Sequence, residues 1–250
     1  MIVAADLEKA LTEVRPAALG TQDEVLKLRY PYGISECSSS MKRVLRDLTR
    51  FTAPIKSSMP RLHSLLLVGG DISSGGAGVT ALACHAAAQS SINGHNDLVQ
   101  FITALDVLTA EGGGQHEARA AALVEKFSEA REMSSSLLVL DDIDQIVAGT
   151  GPGGYSSIML STLRALIRTP PQAAGGQSKS TSNLGKTLHI LATTSRSDAA
   201  CTVLNEIFEE VVVVPVLSEA DSVQKLLSDC SQVADPHWPI QPSLPPLHYS

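Results

Sequence analysis

The sequence predicts an α/β three-layer sandwich on a mostly parallel five-stranded sheet, and three observations carry that reading. Apolar strand-like runs at 62–68, 98–105, 136–140, 187–192 and 210–216 alternate with helical segments at 79–90, 115–132, 156–168 and 199–208. Strands separated by helices of about ten residues or more are the pattern of βαβ units, whose crossovers make the strands parallel. The runs are apolar throughout, as in Leu137-Leu138-Val139-Leu140 and Val211-Val212-Val213-Val214, which suits strands covered on both faces. The first of them also passes through a glycine-rich turn directly into a helix.

The elements outside this rhythm follow in order. Residues 4–15 carry apolar positions at helical spacing and stop at Pro16. A second helix is expected over 40–51, with Val44, Leu45 and Leu48 on one side. The stretch 170–186 is polar and of low complexity, and reads as a surface insertion between a helix and a strand. A short amphipathic segment at 218–229 precedes a tail with Pro236, Pro239, Pro242, Pro245 and Pro246, which disfavours packed structure.

Composition narrows the function classes. A chain of 250 residues with 44% apolar content can bury a sizeable core. A formal charge of −7 argues against general affinity for nucleic-acid phosphates or anionic lipid. No apolar run reaches the roughly 18–20 residues of a membrane span. Asp6 and Glu8 interrupt the N-terminus before a signal-peptide core develops. The four cysteines, Cys37, Cys84, Cys201 and Cys230, are scattered without a Cys-x-x-Cys pair, as expected of reduced thiols. The seven histidines show no ligand spacing, so no metal held by protein side chains alone is expected.

The turn after the first strand runs Gly69-Gly70-Asp71-Ile72-Ser73-Ser74-Gly75-Gly76-Ala77-Gly78-Val79-Thr80. Strand, glycine-rich turn and helix form the context in which backbone amides and a helix N-terminus cradle phosphate. Thr80 stands where a hydroxyl holds Mg²⁺. Val79, however, stands where a lysine ammonium neutralises the β- and γ-phosphates, and the loop is about three residues longer than the usual spacing. On its own, the segment reads equally as an ordinary Gly/Ser-rich turn.

Downstream, Leu137-Leu138-Val139-Leu140-Asp141-Asp142-Ile143-Asp144 is an apolar strand ending in carboxylates, the form of a Walker B site. At the C-terminal edge of a parallel sheet Asp141 faces the same crevice as the glycine-rich turn, within reach of a hydrated Mg²⁺ beside Thr80. Asp142 then occupies the place of a carboxylate that orients attacking water, one methylene shorter than the more usual glutamate. The bland alternative is a polar strand terminus capping Ile143-Asp144. At the end of the next strand, Ser195 in Thr193-Thr194-Ser195-Arg196-Ser197-Asp198 is the candidate for the γ-phosphate or its water, while Thr193 and Thr194 read as caps of the following helix. Gly185-Lys186-Thr187 imitates the missing Gly-Lys-Thr, but it precedes a strand rather than a helix and reads as the tail of a loop. Lys186 and Lys179 are nonetheless the lysines that could substitute for the missing one.

With these motifs in order the chain resembles an AAA+ ATPase module of the P-loop NTPase class, and more narrowly the second AAA+ module of the N-ethylmaleimide-sensitive, vesicle-fusing ATPases. The resemblance rests on paired Asp141-Asp142, on Leu163-Arg164-Ala165-Leu166 before Thr169-Pro170-Pro171-Gln172, and on Thr193-Thr194-Ser195-Arg196. Arg15-Pro16-Ala17-Ala18-Leu19-Gly20 and Arg43-Val44-Leu45 extend it upstream, so that it covers roughly residues 5–217. It implies three parts: an N-terminal helical lead-in over 1–61, an α/β core over 62–217, and a vestigial lid with a Pro-rich tail over 218–250. It implies ATP held by Gly75, Gly76, Ala77, Gly78, Val79, Thr80 and Leu82, with Mg²⁺ at Thr80 and Asp141 and catalytic roles for Asp142 and Ser195. It further implies a homohexamer in the cytoplasm, peripheral to Golgi or vesicle membranes. SNARE complexes and soluble attachment adaptors would be partners reached through an N-terminal domain of the family. The family activity is ATP hydrolysis. Val79 in place of lysine, the lengthened loop and the lack of an Arg-Pro-Gly-Arg segment between Arg196 and Val211 point instead to a degenerate module for ATP binding and oligomerisation. The alternative is an interaction scaffold, a pseudo-ATPase that has lost the nucleotide.

Overall fold

The computed structural model describes residues 26, 28–30, 33–55, 57–70, 78–109, 115–149, 154–172, 185–196, 199–217 and 219–233. The expected helix over 4–15, most of the glycine-rich turn (71–77), much of the 170–186 insertion and the Pro-rich tail lie outside these residues.

Five strands, β1 (Arg61–Val68), β2 (Leu98–Ile102), β3 (Ser135–Leu140), β4 (Thr187–Thr194) and β5 (Glu210–Val213), form one sheet in the order β2-β3-β4-β1-β5. Every pairing is parallel. All strand C-termini therefore lie along one edge, where loops from several strands meet.

Alternation along each strand explains the three layers, because successive side chains point to opposite faces. Leu65, Leu67, Leu137, Val139 and Leu191 join one core with helix α1 (Ser39–Phe51) and helix α2 (Val79–Ile92). Their neighbours Leu66, Val68, Leu138, Leu140 and Ile190 join the other with helix α4 (His116–Glu132) and helix α6 (Ser157–Arg168). Both faces are dry, so both registers must be apolar.

Local chemistry sets the element ends. Ser38 accepts from the Met41 amide at 3.0 Å and caps α1, which buries Met41, Val44 and Leu48 at helical spacing. β2 is shorter than the apolar run 98–105 suggests. Thr103 and Asp106 form a reciprocal capping box that turns the chain into a one-turn helix, α3 (Ala104–Leu108). A second short helix, α5 (Ile143–Ile146), follows β3 directly. β5 stops at Val213, two residues before Pro215, which has no amide to give a ladder. Helix α7 (Ala199–Asn205) leads into β5, and helix α8 (Ala220–Val233) follows it. No helix among the described residues is long and apolar enough to cross a membrane.

Arg119 fixes α5 in place. From α4 this buried guanidinium donates to the carbonyls of Ala148 at 3.1 Å and Gln145 at 3.2 Å, and to that of Ile146. A cation on the last carbonyls of a helix satisfies groups the helix cannot satisfy itself. Arg119→Ala is expected to cost about 2 kcal/mol and to loosen the segment after Asp142 first. Hydrogen exchange of the 143–149 amides checks this; unchanged protection there contradicts it.

Candidate functional site at the C-terminal edge of the sheet

The glycine-rich turn leaves β1 under tight steric control. The Gly69 amide donates to the Thr194 carbonyl at 2.7 Å, continuing the β1–β4 ladder. At Gly70 an added Cβ would stand 2.4 Å from Cγ2 of Val216 and 3.2 Å from the Val214 carbonyl oxygen, so a side chain there requires Val216 to shift. Gly78, the N-cap of α2, has φ +70°, a conformation glycine adopts at little cost. Gly78 has no side chain with which to cap α2, whose first-turn amides start at the sheet edge with the positive end of the helix dipole.

Val79 and Leu82 turn inward, at 3% and 2% exposure. Leu82 also lines a neighbouring cleft, whereas Val79 belongs to the core shared by α1 and α2. Thr80 is only partly covered, and its hydroxyl donates to Oδ1 of Asp141 at 2.7 Å. The structure thus brings together the two residues assigned to a common metal, across a sequence separation of 61.

Asp141 is the hub of this edge. It is buried, and Oδ1 accepts a second hydrogen bond from Thr193 at 2.9 Å. Oδ2 accepts from the Arg29 guanidinium at 3.1 Å, and that group lies 4.7 Å from the centre of the Phe101 ring. Thr193 also accepts from the Asp142 amide at 2.9 Å, fixing β3 and β4 where their hydrogen-bonded ladder ends. Thr194 repeats the device one residue on, donating to Asp144 at 3.0 Å. Thr193 and Thr194 are therefore fully buried carboxylate partners rather than helix caps. Ser195 follows them into an exposed position.

Asp142 is the one non-glycine residue with positive φ among those described, at 51°. Such a backbone is strained for a side-chain-bearing residue, and such strain collects at functional edges. Burial, then the charges of Asp141 and Asp144, push its carboxyl above the usual range, with Arg29 pulling the other way. On the underside of α2, burial followed by the Asp141 charge raises the Cys84 thiol to about 12, which leaves it unreactive.

Lys186 is not a replacement for the missing lysine. It precedes β4 at the opposite edge, where Nζ donates to the Arg131 and Glu132 carbonyls at 3.0 Å each. The eight residues of β4 separate it from Thr194, roughly 25 Å along the strand. Lys179, Gly75, Gly76 and Ala77 lie outside the described residues.

Beside the N-terminus of α2 opens a cleft of about 440 Å³, lined by Gly33, Ile34, Cys37, Met41, Gly78, Ala81, Leu82 and the segment Pro215-Val216-Leu217, with Leu226 of α8 opposite. Ser35 donates to Asp229, and Lys225 donates to the Glu36 carbonyl at 2.9 Å, tying α8 to the 33–37 segment across the opening. Sequence reasoning missed this cleft, because its walls come from four separated segments with no motif among them. Its size and apolar lining are those of a small-molecule site with a polar end.

At this edge of a parallel α/β sandwich, Thr80 at the start of α2 and the strand-end Asp141 meet near an apolar cleft. The chain is similar to vesicle-fusing ATPases over most of its length, consistent with an AAA+ module. It is 29% identical over 234 residues to the vesicular-fusion protein sec18 of Schizosaccharomyces pombe, covering 92% of this chain and 26% of that protein. It is 23% identical over 238 residues to a vesicle-fusing ATPase of Caenorhabditis elegans, covering 94% and 26%. With the vesicular-fusion protein SEC18 of Saccharomyces cerevisiae the identity is 26% over 238 residues, covering 92% and 28%. The chain thus spans about a quarter of the length of these relatives. No protein-family model matches it.

Proposed function

We propose that this chain is a degenerate nucleotide-binding and assembly module of the vesicle-fusing ATPase type, with weak affinity for ATP and negligible turnover. The observation that carries this reading is the meeting of Thr80, Asp141 and the apolar cleft at one sheet edge. Adenine is a flat group that suits the lining by Ile34, Leu82, Leu217 and Leu226. The amides opening α2 would hold phosphate, with Gly75, Gly76 and Ala77 as the preceding turn. A bound nucleotide would supply a polyanion around which copies of the chain assemble, a hexamer by analogy with the relatives. In this reading residues 62–217 are the core and α8 is what remains of a lid.

The residues fit ATP and Mg²⁺ unequally. The cleft fits a base, but the phosphate end lacks an ammonium at position 79, and Val79 is buried in the core. Losing one charged phosphate ligand costs about 2–5 kcal/mol of affinity. Mg²⁺ does not fit as the site stands, because Oδ1 of Asp141 already accepts two hydrogen bonds and Arg29 stands against Oδ2. Asp142 and Ser195 are the side chains that would act on a terminal phosphate, yet without a lysine or a fitted metal they are expected to drive no measurable hydrolysis. SNARE complexes and attachment adaptors would be reached through further domains of the relatives' kind, on the cytoplasmic side of Golgi or vesicle membranes.

Calorimetric titration with ATP and with ADP tests this. The expected dissociation constant is on the order of 10–1000 μM. Steady turnover above about one per minute contradicts the loss of catalysis. The buried Val79 and the occupied Asp141 also favour the second reading, a scaffold without nucleotide. That reading predicts no heat of binding and no nucleotide-dependent thermal shift at several times these concentrations.

A further inference from the structure

We propose that Arg29 is the built-in cation of this site, standing against Asp141 where a nucleotide site of this architecture places a divalent ion, so that the chain takes its phosphate ligand without metal. The inference rests on the nucleotide reading for its ligand, but its first test does not. Three observations support it. Asp141 has its charge met inside the protein: two threonine hydroxyls on Oδ1 and a guanidinium on Oδ2 at 3.1 Å. The guanidinium is held from a second side by the Phe101 ring at the end of β2, 4.7 Å away, so its position is set by two strands rather than by one contact. Its side chain is 36% exposed while that of Asp141 is 5% exposed, which puts the carboxylate behind and the cation in front.

That ordering matters for chemistry. A guanidinium carries five N–H donors in a fixed fork, more than Asp141 alone can take, and a planar fork matches phosphate oxygens. Arg29 can therefore neutralise Asp141 and still offer N–H donors to a phosphate at a site with valine at position 79. A divalent ion seeking Oδ2 must first displace a like charge. The segment that delivers Arg29 continues into Gly33 and Ile34 of the cleft wall, so both ends of a nucleotide would meet the same stretch of chain.

The test uses the whole chain and Mn²⁺ alone, with binding read by electron paramagnetic resonance of the free ion. The wild-type chain is expected to leave Mn²⁺ free up to about millimolar concentration. Arg29→Gln is expected to bind it at least about tenfold more tightly, and adding Asp141→Asn is expected to abolish that gain. Micromolar Mn²⁺ binding by the wild type that Asp141→Asn removes would overturn the proposal, and so would a folded Arg29→Gln protein with no gain. Should that variant not fold, the wild-type titration still decides, and Arg29→Lys is expected to behave as wild type. A nucleotide arm separates the two readings. ADP affinity unchanged between Mg²⁺ and a chelator supports both, and affinity that appears only with Mg²⁺ overturns the metal-free site while leaving the nucleotide reading intact. No nucleotide binding in either buffer overturns the phosphate role of Arg29 together with the nucleotide reading, and the Mn²⁺ result then speaks to its cation role alone.

Discussion

Acidification from pH 7 to pH 4 is expected to cost the fold about 3 kcal/mol through His189 alone. His189 lies in the middle of the sheet, fully buried, and neither ring nitrogen has a hydrogen-bond partner among the described residues. The Phe51 ring meets it edge-on at 5.4 Å, and the His63 ring stacks on it at 5.8 Å. Burial first, and then a charge on His63, lower its pKa from 6.5 to about 4. The unfolded chain therefore takes up this proton near pH 6.5 and the folded chain only near pH 4. Stability from this group is whole above about 6.5, declines as the pH falls between those values, and levels off below about 4. His189→Leu removes the titration and both unpartnered ring nitrogens of position 189, so it should be near neutral at pH 7. Urea unfolding of both proteins at several pH values checks this. The wild type should lose about 3 kcal/mol more than the variant between pH 7 and pH 4, and parallel curves contradict the account.

Asp141→Ala is expected to cost about 3 kcal/mol at neutral pH. The substitution strands two threonine hydroxyls and a guanidinium that share one carboxylate. The Arg29 contribution is discounted because that side chain is 36% exposed and water can solvate it. Asp141→Asn should cost less, about 2 kcal/mol. Its amide oxygen still accepts from Thr80 and Thr193, but its NH₂ then faces the guanidinium donor to donor. Replacing Arg29 together with Asp141 should recover about 1 kcal/mol relative to the sum of the single changes, since the two interact. Denaturant unfolding of the two Asp141 variants, of an Arg29→Ala variant and of the double variant measures this. An Asp141→Ala protein within about 0.5 kcal/mol of wild type would mean that the hub carries no load.

The comparison of sequence with structure divides along physical lines. Both-face burial of a parallel sheet forces continuous apolar runs, so β1, β3 and β4 were legible wherever the run was long. β2 was over-read because its apolar run continues past Ile102, although the reciprocal cap of Thr103 and Asp106 was present in the sequence as a stop signal. Asp141 and Thr80 were legible as candidates because strand-end and helix-start positions follow from motif spacing alone. Thr193 was assigned the wrong partner, since a threonine before a helix ordinarily caps it. Only the β3–β4 register, which pairs Leu140 with Ala192, brings Thr193 beside Asp141. Arg29 and Arg119 carry no local signal, because each is an ordinary helical arginine until tertiary packing supplies its partner. The cleft was hidden for the same reason, since α8 closes it by contacts to residues nearly two hundred positions away.

In the proposed function, the start of α2 and the neighbouring apolar cleft form one nucleotide site. Hydrogen exchange of the whole chain, with and without millimolar ADP, tests it most directly. Added protection is expected only at the amides of Gly78–Leu82, of residues 33–37 and of Val216–Leu217. Protection elsewhere, or none at these three segments while ADP demonstrably binds, contradicts it.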